Sequence, residues 1–364
     1  MKILQVVGAR PNFMKIAPII REMSRFPEHF EQVLVHTGQH YEAHMSQIFF
    51  EELGMPMPNI NLEVGSGSHA WQTAQIMLRF EPVVLEYKPD WVIVPGDVNS
   101  TIACALVCCK LGIKVAHLEA GLRSFDRTMP EEINRLLTDQ IADLLFTPSL
   151  DANENLFREG VSPEKVYFVG NAMIDTLIRL LPKAEKRWPV LQEAMGLNRY
   201  LLVTLHRPSN VDDSETLSEI MAGLSEISQN FPVVFPVHPR TRQRINDNKL
   251  WPGTNRNLQL IEPLGYIDFL SLEANASLVL TDSGGVQEET TYLGVTCLTA
   301  RPNTERPVTI YQGTNRLVAS RKEPLVLEVS RLLANQETAS RVPELWDGKT
   351  AGRIVGIFQA LGDN

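Results

Sequence analysis

Short apolar runs alternate with longer amphipathic stretches along most of this chain, the pattern of parallel strands covered on both faces by helices. Lys2 to Val7, Gln32 to His36, Trp91 to Val94, Val115 to Leu118, Leu144 to Thr147 and Val166 to Val169 are the strand candidates of the first half. Between them Phe13, Ile16, Ile19, Ile20 and Met23 recur at helical spacing, as do Leu136, Leu137 and Ile141. From about Ala172 to Ala194 the pattern turns long, helical and charged, and Pro182, Lys183, Lys186, Arg187 and Pro189 read as a crossover. A second strand series follows at Tyr200 to Thr204, Val233 to Val237, Leu258 to Ile261, Leu278 to Thr281 and Thr296 to Leu298. The expectation is an α/β chain of two Rossmann-like domains, residues 1–171 and 199–351, joined by a crossover over 172–198. A length of 364 residues agrees, being more than one core usually holds.

In such folds ligands bind at the carboxyl ends of the strands, so the segments leaving them should carry the chemistry, in a cleft between the two sheets. One stretch stands out: Leu278-Val-Leu-Thr-Asp-Ser-Gly-Gly-Val-Gln-Glu-Glu-Thr-Thr-Tyr292. A strand runs into Ser283-Gly284-Gly285 and then into a helix whose first turn should carry Gln287, Glu288 and Glu289. A helix start leaves backbone N–H groups unpaired and partly positive, and two glycines let a ligand approach closely. Pyrophosphate on the turn and ribose hydroxyls on Glu289 satisfy these features together; an ordinary glycine-bearing corner is the plainer alternative.

Other strand ends are similarly loaded. Gly8-Ala-Arg10-Pro-Asn-Phe-Met-Lys15 is expected to place two cations in the first turn of a helix, against the helix dipole, which an anionic ligand would repair. Asp97, after Pro95-Gly96, is either functional or a cap for the following helix. Glu119 ends a buried strand, where a carboxylate is costly unless paired or used. Glu131 opens a helix, a position where acids usually serve stability. His206, directly after a strand, is by itself as consistent with a core residue as with a functional one. As a set, Asp97, Glu119, Glu131 and His206 are expected to converge on one cleft facing the Ser283 turn.

Composition narrows the class. A formal charge of −9 offers no basic surplus for a nucleic-acid backbone, although local sites for a small anion remain open. Cys104, Cys108, Cys109 and Cys297 lack zinc-type spacing; the first three lie on one apolar helical pattern and read as buried thiols, consistent with a reducing cytoplasm. No signal peptide is expected before Met1, and Lys110 and Lys114 break the most apolar run, near Thr101 to Leu118, so no membrane span is expected.

The motifs Gly8-Ala-Arg-Pro-Asn-Phe-Met-Lys15, Pro95-Gly-Asp97, His117-Leu-Glu-Ala-Gly-Leu-Arg123, Pro130-Glu-Glu-Ile-Asn-Arg135 and Thr281-Asp-Ser-Gly-Gly-Val-Gln-Glu-Glu289 resemble those of the non-hydrolysing UDP-N-acetylglucosamine 2-epimerases. The resemblance runs in order from Met1 to the C-terminal helix. It implies a GT-B fold, two Rossmann-like domains with parallel sheets facing a central cleft, in which the last helix, residues 352–364, packs back on the first domain. It implies a UDP-sugar substrate, a homodimer, and chemistry without metal or NAD. The family removes the C2 proton as UDP leaves C1, giving enzyme-bound 2-acetamidoglucal, and then adds UDP back as a proton arrives on the opposite face. By correspondence Asp97, Glu119, Glu131 and His206 are its catalytic residues. Arg10, Lys15, Phe269, Ser283, Gly284, Gly285, Glu289 and Arg306 are its UDP-binding residues, with Phe269 by the uracil.

The chain departs from the family at one motif: many members carry His-Arg-Arg-Glu where it reads His206-Arg207-Pro208-Ser209-Asn210. Gln39, near which some bacterial members bind an activating second substrate molecule, is present while the second Arg is missing, which argues against such activation. A hydrolysing epimerase, an epimerase of a modified UDP-sugar (3-acetamido, uronic or 6-deoxy), a GT-B glycosyltransferase and a non-catalytic UDP-sugar sensor are the alternatives.

Overall fold

The computed structural model describes residues 1–38, 50–250, 257–334 and 341–362. Two compact units are present: Met1–Arg179 with Glu344–Asn364, and Leu180–Pro343. The first is built on β1 (Lys2–Val7), β2 (Glu31–His36), β3 (Ile60–Asn61), β4 (Trp91–Pro95), β5 (Lys114–Leu118), β6 (Leu144–Thr147) and β7 (Val166–Phe168). Their order is β3-β2-β1-β4-β5-β6-β7, every pair parallel. The second is built on β8 (Leu201–Thr204), β9 (Val233–Pro236), β10 (Leu258–Ile261), β11 (Leu278–Thr281), β12 (Cys297–Ala300) and β13 (Asn315–Val318). These are again all parallel, in the order β10-β9-β8-β11-β12-β13.

Central strands such as β4, β6 and β11 are buried along their whole length, which is why they read as unbroken apolar runs. On one face of the first sheet Leu4, Val6, Val92 and Val94 pack with Ile76, Phe80 and Val84 of helix His69–Tyr87 and with Ala103, Cys104 and Val107 of helix Asn99–Leu111. Helix Thr350–Gly362 also belongs to this unit. Its Phe358 meets Trp91 and Phe146 edge-on at 5.6 and 5.8 Å, and the Asp175 carboxylate accepts hydrogen bonds from Thr350 N (3.2 Å) and Ala351 N (2.8 Å) at the helix start.

The apolar pattern missed β3 and β13. Both are edge strands, β3 only two residues long and β13 with Arg316 and Leu317 exposed, so neither needs an apolar run. Of the three helical thiols, Cys104 and Cys108 are buried but Cys109 is exposed, because the next residue turns about 100° around the helix and off the inner face. Among the described residues no helix is long and apolar enough to cross a membrane.

Each sheet reverses its winding at one place: between β1 and β4 in the first, and between β8 and β11 in the second. A crevice opens at the carboxyl ends of strands at such a switch point. The segments that leave these four strands begin at Gly8, Gly96, Leu205 and Asp282.

Candidate functional site

In the first unit the chain leaves β1 through Gly8 and Ala9 into helix Arg10–Met23. Asn12 fastens this turn: its Oδ1 accepts from Gly8 N (3.1 Å) and Ala9 N (3.0 Å), and its Nδ2 donates to Pro95 O (3.2 Å) at the end of β4. Because the helix opens at Arg10, Lys15 falls in its second turn rather than its first, and its ammonium group donates to Glu119 Oε1 at 2.7 Å. Both side chains are buried, 5% and 6% exposed, so each charge is the other's compensation for lost hydration.

Glu119, one residue past β5, has φ +75°, a left-handed backbone that costs a non-glycine residue on the order of 1–3 kcal/mol. Gly96, one residue past β4, is also left-handed at +65°. A Cβ there would stand 3.0 Å from Lys15 Nζ and 3.9 Å from Glu119 Oε1, so only glycine leaves the ion pair undisturbed.

Asp97 does not cap the following helix, whose N-cap is Val98 without a side-chain bond. It is ion-paired to Arg135, which also holds Glu132 Oε2 at 2.6 Å, while Glu132 accepts from Ser124 N, Ser124 Oγ and Phe125 N at 2.9–3.0 Å. Arg135 and Glu132 lie on helix Pro130–Ile141, whose buried residues are Glu132, Arg135, Thr138 and Asp139; Leu137 is 51% exposed. Apolar spacing thus identifies the helix but not its inner face, because this helix turns its charged side inward. Glu131, in its first turn, is half-buried and makes no hydrogen bond or ion pair with the described residues.

Behind these groups lies fully buried His117, with Nδ1 2.6 Å from Asp139 Oδ1 and Nε2 2.7 Å from Gly96 O. Burial alone would raise the Asp139 carboxyl, but the charge and hydrogen bonds of His117 and Arg123 hold it below its ordinary range.

In the second unit the ends of β8 and β11 are tied by one buried carboxylate. Asp282 accepts from His206 N at 3.1 Å, Arg207 N at 2.9 Å and Asn210 Nδ2 at 3.0 Å, and lies 2.8 Å from His206 Nδ1. Burial would raise its pKa, yet the His206 bond and charge, with Asn210 and the Arg207 N–H, hold it below the usual carboxylate range. The His206 side chain is 56% exposed, so it is no core residue: one edge is anchored and the rest faces solvent.

Ser283 is the N-cap of helix Gly284–Leu293 and makes no side-chain capping bond, so no Ser283 hydroxyl covers the first-turn N–H groups. Glu288 and Glu289 lie one turn further than the sequence pattern placed them, because the helix begins at Gly284. Arg306 lies beside the turn; a Cβ on Gly284 would come within 2.4 Å of its Nη1. The buried Arg306 guanidinium is ion-paired with Glu288, Nε lying 3.0 Å from Oε1, and with Glu305 Oε1. Burial opposes charge on Glu305, but Arg306, Arg301 and Arg207 together hold its carboxyl well below its ordinary range. Glu289, also buried, accepts a 2.7 Å bond from Tyr266 Oη, and Phe269 sits half-buried on the same helix as Tyr266, Tyr266–Asn275.

Within the first unit, then, Lys15, Asp97 and Glu119 gather at one switch point, with Glu131 on the helix that holds Asp97. Within the second, His206, Ser283, Gly284 and Arg306 gather at the other, with Gly285 and Glu289 along the same helix. The Arg10 side chain, Gln39 and His40 lie outside the described residues. The sequence reading missed Asn12, Asp282 and Glu305 as organisers; Asp282 had a readable signal, an acid ending a buried strand just before the Gly-Gly turn. Among the described residues no group of three His, Cys, Asp or Glu side chains is placed to hold a metal ion.

Two parallel sheets of seven and six strands, each loaded at its switch point, define a nucleotide-sugar protein of the GT-B class. The sequence pattern of the UDP-N-acetylglucosamine 2-epimerase family matches residues 22–359, and the chain belongs to that family. It is 45% identical to the UDP-N-acetylglucosamine 2-epimerase of Methanocaldococcus jannaschii, over 98% of this chain and 99% of that one. The crystal structure of a Methanocaldococcus jannaschii UDP-GlcNAc 2-epimerase in complex with UDP-GlcNAc and UDP superimposes with a TM-score of 0.92 at 44% identity, covering 99% of this chain and 100% of that one. The chain is also 42% identical to the UDP-2,3-diacetamido-2,3-dideoxy-D-glucuronate 2-epimerase of Pseudomonas aeruginosa, over 90% of each.

Proposed function

We propose that the protein epimerises UDP-N-acetylglucosamine at C2 to UDP-N-acetylmannosamine without releasing free sugar, by anti elimination of UDP and its re-addition. The observation that carries this reading is the set of acids at the first switch point: Glu119 buried on Lys15, Asp97 on Arg135, and Glu131 half-buried without a partner among the described residues. No carbonyl adjoins C2 to make its proton acidic, so the reaction needs bases and acids on two faces of the sugar, held in different environments. Asp97, Glu119 and Glu131 supply them. The C2–H bond and the C1–O bond to UDP break together in one direction, and both re-form in the other with a proton on the opposite face.

The second unit holds the nucleotide. Ser283, Gly284 and Gly285 take the phosphates on the open helix start, Glu289 takes the ribose and Phe269 lies by the uracil. Arg306 binds on the UDP side, while His206, Lys15 and Arg10 offset charge growing on the departing diphosphate, about 3 kcal/mol for one well-placed donor. No metal or NAD takes part. The chain acts as a homodimer in the cytoplasm. Support for an interface comes from Trp71, Leu78 and Leu85, exposed at seven-residue spacing on one face of helix His69–Tyr87.

A second reading is favoured by the 42% identity to the diacetamido-glucuronate epimerase: the same chemistry on a modified UDP-sugar. Proton NMR in deuterated water separates the readings. Growth of UDP-N-acetylmannosamine with deuterium at C2 of both sugars is the expected result; free N-acetylmannosamine would mark a hydrolase. Exchange seen only with a 3-acetamido or uronic substrate would move the assignment to the modified sugar. UDP binding without exchange on any of these sugars would leave a transferase or a sensor.

A further inference from the structure

Glu273 is fully buried on helix Tyr266–Asn275, and among the described residues no N–H or hydroxyl group donates a hydrogen bond to either of its carboxyl oxygens. A leucine or methionine would pack there without the cost of burying a polar group, so a carboxyl at this depth needs a reason. Among the described residues the charged group that acts on it is Glu289, near enough to share a hydrogen bond. Two carboxyls in contact away from water cannot both be ionised, and one proton must lie between them. Burial and the Glu289 charge keep the Glu273 proton bound well above the ordinary carboxyl range. Tyr266, seven residues earlier on the same helix and therefore on the same face, donates its hydroxyl to Glu289 Oε1 at 2.7 Å. A single helix face thus presents the Tyr266 hydroxyl and the Glu273 carboxyl to Glu289. Cys297 of β12 lies against the same spot, its thiol pushed by burial up to about 12 and therefore neutral.

We propose that Glu273 is a positioning residue: as a neutral acid it donates its proton to Glu289 and, with Tyr266, fixes the orientation in which Glu289 accepts hydrogen bonds from the ribose hydroxyls of the nucleotide. The proposal rests on the reading of Glu289 as the ribose acceptor. Glu273 itself touches no ligand. Its effect appears as the ability to tell a ribose from a sugar without hydroxyls, rather than as affinity in general.

The test is isothermal titration of the full chain with UDP and with 2′,3′-dideoxy-UDP, in the wild type, Glu273→Gln and Glu273→Met. Wild type and Glu273→Gln, whose amide still donates to Glu289, should prefer UDP roughly tenfold or more. Glu273→Met should lose most of that preference while binding 2′,3′-dideoxy-UDP as the wild type does. A Met variant that keeps the preference, or weakens both ligands equally, overturns the proposal, as does a Gln variant that loses it. Infrared difference spectra provide a measurement independent of the Met variant's folding: a protonated-carboxyl band at neutral pH should be present in the wild type and absent from Glu273→Gln. Absence of that band from the wild type overturns the shared proton. No preference for UDP in the wild type would instead remove the ribose assignment of Glu289, and the band would still decide whether Glu273 holds a proton.

Discussion

In the first unit the acids at the strand ends are matched to cations from neighbouring elements: Glu119 to Lys15, and Asp97 with Glu132 to Arg135. In the second unit the strand ends instead carry donors: a helix start that the Ser283 side chain does not cap, an exposed His206 anchored by Asp282, and an Arg306 buried between Glu288 and Glu305. The two sheets wind the same way, so topology does not separate these roles. Side-chain chemistry does: one switch point carries acids matched to cations and the other carries donors, the contrast on which the proposed split between proton exchange and diphosphate binding rests.

Glu119→Gln should divide the two units most sharply. It removes a carboxylate from the first while leaving the second untouched, so kcat should fall roughly 10³-fold while UDP affinity by titration stays near the wild-type value. Parallel loss of UDP affinity would mean that Glu119 serves binding. Asp282→Asn takes the ionised anchor from His206 and should lower kcat on the order of 10²-fold; an unchanged kcat would show that the histidine needs no carboxylate behind it. Gly284→Ala forces a Cβ to within 2.4 Å of Arg306 Nη1, so the guanidinium must move from the helix start. UDP binding should weaken on the order of tenfold with C2 exchange in the bound substrate retained; equal losses of binding and exchange would erase the division of labour.

The smallest effect is a difference in sign between two buried acids. The folded protein depresses the Glu305 pKa, so that residue's stabilisation is complete above the ordinary carboxyl range and is lost as pH falls through the depressed value. Glu273 is raised, so the folded state keeps a proton that the unfolded chain releases, and stability falls as pH rises from the ordinary carboxyl range towards the raised value. Urea midpoints against pH should show Glu305→Gln flattening the acid limb and Glu273→Gln flattening the limb above it. The same slope change from both variants would refute the opposite signs.

Much of the first switch point was legible because its residues break local rules. Glu119 closes an apolar strand, and Lys15 follows a helix start that already carries Arg10, so each is locally unfavourable and signals a partner elsewhere. The partner was not legible. Glu119 and Lys15 are separated by 104 positions and meet at 2.7 Å because the sheet places β1, β4 and β5 side by side, with Lys15 on the helix after β1 and Glu119 just past β5. Helix Pro130–Ile141 misled for the opposite reason: its apolar residues have helical spacing, yet Glu132, Arg135 and Asp139 face inward because carboxylates, His117 and Arg123 wait for them there.

By itself the order of residues determined the strands other than β3 and β13, the Ser283-Gly284-Gly285 turn and the family, since all of these depend on local periodicity, turn chemistry and short contiguous motifs. Strand order, the two switch points, the pairing of Asp97 with Arg135 and the meeting of Glu273 with Glu289 were decided only in three dimensions. The physical reason is that a buried charge or carboxyl takes its protonation state and its cost from whichever groups the fold brings within a few ångströms, and those groups come from distant parts of the chain.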